Sequence, residues 1–151
     1  MTDIRTEFVS FDQGADYALD ALGLVEDDGL ETAVILSLFT DRQADADDEL
    51  PDGGNDRRGW WGDVFPAAPG DKSGSRLWLL SREKQSSTAL NKAREYALEA
   101  LQWLVDDGVA SRIEVDAQVI RPGMLGLAIA IYRPDAKSPT RYRYETLWRA
   151  M

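Results

Sequence analysis

Ile113-Glu114-Val115-Asp116-Ala117-Gln118-Val119, followed by Arg121-Pro122-Gly123 and then Leu125-Gly126-Leu127-Ala128-Ile129-Ala130-Ile131, is the stretch on which the fold turns. In the first run apolar residues alternate with Arg112, Glu114, Asp116 and Gln118, the period of a half-buried strand. Arg121-Pro122-Gly123 reads as a turn. In the second run both faces are apolar or small, which predicts a central strand covered on both sides, ended by Pro134. A third run, Arg141-Tyr142-Arg143-Tyr144-Glu145-Thr146-Leu147-Trp148, has high β propensity and is expected at the sheet edge.

Upstream of this β segment lies the best helical pattern in the chain. Leu90, Ala93, Ala97, Ala100, Leu101 and Leu104 make one stripe, with Lys92, Glu95, Glu99 and Gln102 largely off it. Ser86, Ser87 or Thr88 caps its start, and Gly108 suits the left-handed position beyond its end. A second helix is expected from about Leu30 to Thr40, with Asp28 as cap and Glu31 completing a capping box. Its stripe of Leu30, Ala33, Val34 and Leu38 is widened by Ile35, Leu36 and Phe39, so it must be buried or lie against a partner. The β-branched pair Val34-Ile35 leaves a strand open. Ahead of it, Asp12-Gln13-Gly14 signals a turn, and the alternation around Tyr17, Leu19 and Ala21 favours a small hairpin over a short helix.

Residues 41–75 have no period. They carry Asp45, Asp47, Asp48 and Glu49, then Pro51-Asp52-Gly53-Gly54, then Arg57-Arg58-Gly59-Trp60-Trp61-Gly62-Asp63. A loop this long inside a domain is uncommon and is usually functional or disordered. Trp60, Trp61, Val64 and Phe65 together argue for order. Trp and Arg are the residue types most enriched at interface hot spots, so the loop either serves an interface or folds back to bury both Trp residues. Arg76-Leu77-Trp78-Leu79-Leu80 follows as a short strand or one helical turn. The planar fork of Arg76 is expected to pair with a carboxylate such as Glu99 or Asp106, a positioning role.

Composition narrows the chemistry. The 151 residues suit one domain, and 27 acidic against 17 basic side chains leave a net charge of −10. That disfavours a nucleic-acid backbone or an anionic membrane as partner. With no Cys and no His there is no thiolate or imidazole for a metal site, a triad or a disulfide. The acidic run does not fit a calcium loop, because counting from Asp41 places Ala46 where Gly is needed and Asp52 where Glu is needed. Gly70 to Gly74, with Lys72 and Ser73, does not match a phosphate-binding loop. Carboxylates such as Glu83, Glu95, Glu99, Asp106 and Asp107 show no spacing that marks an acid and a base across a cleft. No catalytic, cofactor or metal residues are therefore assigned. No apolar run reaches the ~18 residues of a membrane span, and Met1-Thr2-Asp3-Ile4-Arg5 does not open a signal peptide, so synthesis and folding in a cytosol are expected.

Several runs are unusual enough to carry a resemblance. They include Asp27-Asp28-Gly29-Leu30-Glu31-Thr32-Ala33-Val34, Ser37-Leu38-Phe39-Thr40-Asp41-Arg42 and Leu50-Pro51-Asp52-Gly53. Further on come Asp56-Arg57-Arg58-Gly59-Trp60-Trp61-Gly62-Asp63, Gly74-Ser75-Arg76-Leu77-Trp78-Leu79-Leu80 and Trp103-Leu104-Val105-Asp106-Asp107-Gly108-Val109-Ala110. Over roughly residues 16–134 the chain resembles the phage Mu gene product forty-six family, baseplate proteins of Mu-like contractile tails. The order of elements is more remotely similar to the wedge and sheath-initiator proteins of T4- and P2-type tails. Those often have Glu-Pro-Arg after the long helix, where this chain has Asp106-Asp107-Gly108-Val109. The resemblance implies a structural, non-enzymatic role in a phage tail baseplate, helping to start the sheath. It implies other wedge proteins and sheath or tube proteins as partners, a place in the virion tail, and assembly in the host bacterial cytoplasm. The other readings are a carboxylate-based cell-wall glycan hydrolase and an adaptor that binds a host protein through the Trp loop.

Together these readings predict a single α+β domain over residues 1–151. A mostly antiparallel sheet is packed by the 87–106 and 30–40 helices, with 41–75 a long ordered loop and 140–151 a C-terminal strand or arm. The expected partner interface comprises Asp56, Arg57, Arg58, Trp60, Trp61 and Asp63 in the loop, Ser75, Arg76 and Trp78 after it, and Tyr142, Tyr144 and Trp148 at the C-terminus. A homo-oligomer is compatible with such surfaces. As a donor arm, the C-terminal segment would be dispensable for the stability of the free chain.

Overall fold

The computed structural model describes residues 3–4, 6–10, 14–17, 19–20, 23–24, 26–27 and 29–147. Short antiparallel pairs occupy the N-terminal part: β1 (Asp3–Ile4) with β6 (Glu26–Asp27), β2 (Thr6–Ser10) with β3 (Gly14–Tyr17), and β4 (Leu19–Asp20) with β5 (Gly23–Leu24). The expected hairpin is therefore β2–β3, although Asp12 and Gln13 of its turn lie outside the described residues. Helix α1 (Leu30–Phe39) and helix α2 (Ser87–Asp106) follow, and then β7 (Arg112–Arg121), β8 (Met124–Tyr132) and β9 (Thr140–Leu147). The last three form one antiparallel sheet in the order β7-β8-β9, with both helices against one face. The architecture is the expected α+β domain.

Register explains the core. Val115 lies opposite Ile129, which lies opposite Tyr142, and Ala117, Leu127 and Tyr144 make the next row. These rows face α2, whose Ala89, Ala93 and Ala97 are fully buried. Alanine at that spacing lets the helix lie close on the sheet, while Leu101 and Leu104 fill the wider end against α1. Val34, Ile35 and Leu38 of α1 complete this cluster, and Phe39 meets the Tyr144 ring edge-on, with centroids 5.5 Å apart. α1 is also met by β2 and β6, while Leu36, part of its wide apolar surface, stays 56% exposed.

The two helix starts differ from each other. Ser86 caps α2, its hydroxyl accepting from the Ala89 N–H at 3.2 Å. The N-cap of α1 is Gly29 in a left-handed conformation, φ 81°, rather than Asp28, which lies outside the described residues. Past α2, Gly108 takes φ 74°, and the Ala110 N–H returns to the Leu104 carbonyl at 2.9 Å, closing the helix as expected.

One expectation is corrected, and one open choice is decided. The outer face of β8 carries no second layer among the described residues. Ala128 and Ala130 sit between rows of polar side chains, Asp116 and Glu114 on one flank and the long Arg143 and Arg141 on the other. A β-bulge between Val119 and Arg121 accompanies Ile120 lying over Gly126. Long side chains thus shield small residues that no helix covers. Of the two readings of the C-terminal segment, edge strand or free arm, the strand holds over Thr140–Leu147, and residues 148–151 lie outside the described residues. β9 pairs with β8 along its whole length, from Met124↔Leu147 to Ile131↔Thr140. Tyr144 is only 7% exposed, so the strand belongs to the core sheet.

Candidate functional site: a loop lobe and an open sheet edge

Residues 41–75 leave α1 and return to the point of departure. Asp41 and Ser75 form a parallel bridge, with Ser75 N–H to the Thr40 carbonyl at 2.9 Å and Arg42 N–H to the Ser75 carbonyl at 3.0 Å. The buried Ser75 hydroxyl donates to the Leu38 carbonyl, which the end of α1 leaves without an intrahelical partner. Gly74 permits the pinch. Its φ is +89°, and a Cβ there would stand 2.2 Å from the Thr40 carbonyl oxygen.

Above the pinch the lobe is held by charge. Arg76 donates through Nε and Nη2 to both oxygens of Glu99, at 3.0 and 3.2 Å, and through Nη1 to Asp45 and Asp48 at 3.1 Å. Its guanidinium also lies 4.7 Å from the Tyr96 ring centroid. The Arg76 and Asp48 side chains are only 18% and 13% exposed. Burial works against the charged Arg76, but its bonds to Glu99 and Asp48 outweigh that and push its pKa up. Lys72 reaches Asp45 at 3.3 Å, and Arg42 stands 3.9 Å from Glu99. The hydrogen bond from Lys72, with the Arg76 charge beside it, holds the Asp45 carboxyl below its ordinary value. The acidic run is therefore more than a solvated loop, since two of its members clamp the lobe to α2. Among the described residues no group of His, Cys, Asp or Glu is gathered to hold a metal ion.

The lobe ends in an aromatic knuckle. Residues Trp61–Val64 make one 3-10 turn, which Phe65 closes through its N–H to the Gly62 carbonyl. Trp60 lies across Gly62 so closely that a Cβ there would stand 2.1 Å from its ring. The two Trp rings lie 5.4 Å apart. Asp63 accepts from the Ser73 N–H at 3.0 Å, tying the turn to the returning strand of the lobe. Even so, Trp60 is 46%, Trp61 80% and Phe65 86% exposed. The alternative in which the loop buries both Trp residues does not hold.

The residues expected at a partner surface therefore separate. Trp60 and Trp61 face outward on the knuckle. Asp56 is exposed and accepts from the Arg58 N–H. Arg57 turns inward, and Arg58, though 44% exposed, is engaged within the chain. Arg57 donates to the Asp45 and Ala46 carbonyls, and Arg58 pairs with Asp41 at 2.7 Å and lies 4.4 Å over the Trp78 ring. Trp78 is half-buried, and its indole N–H donates to the Arg42 carbonyl at 2.9 Å. The segment around it, Leu77–Leu80, is a 3-10 turn, which decides between the two readings of that run. Ser75, Arg76, Trp78 and Tyr144 spend their side chains inside the chain, because the lobe and α1 need exactly those donors and rings for closure. Tyr142 stacks on Tyr144 at 6.2 Å, and Trp148 lies outside the described residues. Sequence reading missed Asp45 and Asp48 as anchors, and Phe65 as part of the knuckle. The spacing of three between Asp45 and Asp48 was the available signal.

The second feature is the sheet edge. No described strand pairs with the outer side of β9. The opposite edge, β7, is blunted by its bulge and by Arg94, which donates to the Ala117 carbonyl at 3.0 Å. No helix among the described residues is long and apolar enough to cross a membrane.

Comparison with known proteins agrees with the resemblance seen in the sequence. The model of the family described as phage protein GP46 matches residues 30–138. The chain is 52% identical over 120 residues to the baseplate protein gp46 of Escherichia phage Mu, covering 80% of this chain and 81% of that one. It is 41% identical over 126 residues to the Mu-like prophage FluMu protein gp46 of Haemophilus influenzae, covering 83% and 84%. The matched stretch runs from the first residue of α1 to beyond the end of β8 and takes in both the lobe and the central hairpin. The chain belongs to the phage protein GP46 family.

Proposed function

We propose that this protein is a structural, non-enzymatic component of a contractile phage tail baseplate, of the wedge or sheath-initiator kind, which acts by protein–protein assembly. The observation that carries the baseplate role is 52% identity to a protein named as the baseplate protein of phage Mu. Its partners are other wedge proteins and sheath or tube proteins, and it takes its place in the virion tail after assembly in the host bacterial cytoplasm.

The open edge of β9 supports the sheath-initiating part. Among the described residues β9 pairs on one side only, and the backbone N–H and C=O groups of such an edge are the template for strand addition. Thr140–Leu147 is eight residues long and contains no proline. Arg141 and Arg143 stand exposed on its outer face, where they suit an incoming strand carrying acidic residues two apart.

Amide exchange tests this. In the free protein the β9 amides that point away from β8 exchange rapidly, and in isolated baseplates they become protected. Rapid exchange of those same amides in assembled baseplates excludes strand addition at this edge.

A further inference from the structure

We infer that the Trp61–Val64 knuckle is a preformed knob that seats in an apolar, basic-rimmed pocket on a different chain of the baseplate. The inference rests on the baseplate reading for where the partner is found, but on different residues from the β9 edge.

The knuckle is apolar, exposed and rigid at once. Trp61, Val64 and Phe65 are each more than two-thirds exposed, and the chain continues as Pro66-Ala67-Ala68-Pro69, exposed throughout. Contiguous apolar patches on the order of several hundred Å² on a soluble protein mark interaction sites. Its conformation is fixed in advance. Trp60 packs on Gly62, Asp63 holds Ser73, and Arg57 holds the carbonyls of residues 45 and 46. Arg58 keeps a left-handed φ of 52°, a strain that the Asp41 pair and the Trp78 ring offset. Little ordering entropy remains to be lost on binding.

Charge and size choose the occupant. The cations of the lobe near the knuckle are engaged within the chain: Arg57 with carbonyls, Arg58, still 44% exposed, with Asp41, and Lys72 with Asp45. The acids Asp52, Asp56 and Asp71 stay exposed with no cation beside them among the described residues. Exposed acids therefore flank the knob along the chain as an acidic collar, and its socket is complementary if rimmed with Lys or Arg. A second copy has the same collar, and the whole chain carries a charge of −10, so self-association is opposed. A turn of 4 residues is also far short of the ~20–30 residues a side of a standard stable interface, which suits one anchor inserted into a larger heterologous contact.

The test uses the full-length protein and each of the other baseplate chains encoded beside it, purified singly, with binding measured at low and high salt. One chain is expected to bind the wild type, more weakly as salt rises. Trp61→Ala with Phe65→Ala is expected to weaken it about a hundredfold, at unchanged melting temperature. Asp56→Lys with Asp71→Lys is expected to weaken it and flatten the salt dependence. If every chain binds the double aromatic variant as well as the wild type, the knob is overturned. It is also overturned if sedimentation shows that the aromatic pair drives self-association, or if the knuckle binds neutral lipid vesicles instead. Immunolabelling of isolated baseplates separates the two readings. Label on baseplates together with unaffected binding sinks the knob alone, and absence of label sinks the baseplate reading itself.

Discussion

The Arg76 guanidinium meets the Glu99 carboxylate in a two-bond fork, Nε to Oε2 at 3.0 Å and Nη2 to Oε1 at 3.2 Å. The fork joins the end of a long loop to the middle of α2, and its remaining nitrogen collects two aspartates from the start of that loop. Lysine keeps the charge but cannot form the fork. Arg76→Lys is therefore expected to cost ~1–3 kcal/mol. An unchanged melting temperature would show that the network contributes nothing to stability.

Asp45 makes this anchor sensitive to acid. Its pKa is depressed in the folded state, chiefly by the hydrogen bond from Lys72, from an ordinary 3.8. In that window the unfolded chain binds more protons, so stability rises with pH. The contribution is present above about pH 3.8 and disappears as pH falls through the lower folded value. Stability curves of the wild type and Asp45→Asn are expected to converge at the acid end, and parallel curves down to pH 2 would contradict this.

Tyr144 is an aromatic core residue whose hydroxyl is buried with no hydrogen-bond partner among the described residues. Burial also pushes its phenol well above the ordinary 10.0. Because the folded pKa is the higher one, the contribution is full below pH 10 and lost as pH rises through the folded value. Tyr144→Phe removes both the unsatisfied group and this alkaline loss. It is expected to raise stability by ~1–2 kcal/mol at neutral pH. A lower melting temperature for the Phe variant would show that the hydroxyl has a partner.

Termination after Pro139 removes β9. Loss of one buried aromatic costs ~3–5 kcal/mol, against a total stability of ~5–15 kcal/mol for a typical domain. The shortened chain is expected to lose its cooperative thermal transition, read by near-ultraviolet circular dichroism. A sharp transition there would make β9 an appendage after all.

Period carried most of what was legible. Alternation placed β7 and β8, and the 3.6-residue stripes placed α1 and α2, because each element shows one regular face to the same core. The fork between Arg76 and Glu99 was legible only as one option among carboxylates. Its other partners, Asp45 and Asp48, sit about thirty residues upstream in a segment without period, and only closure of the lobe brings them together. The outer face of β8 misled because small residues read alike whether a helix or a neighbour's arginine covers them. Tyr144 misled because an alternating Tyr-Arg strand looks equally suited to a free edge and to a core row.

The bridge between Asp41 and Ser75 also determines how a pull on the knuckle would travel. The two ends of the lobe leave the body side by side, hydrogen-bonded to each other and, through Ser75, to the last turn of α1. Traction at Trp61 therefore arrives at its root on two parallel strands, and the bonds there bear it together instead of opening one after another like a zipper. Arg76, one residue past the root, hands the load on to α2 and so to the whole sheet. The lobe is rooted as a tooth rather than hung as a tether.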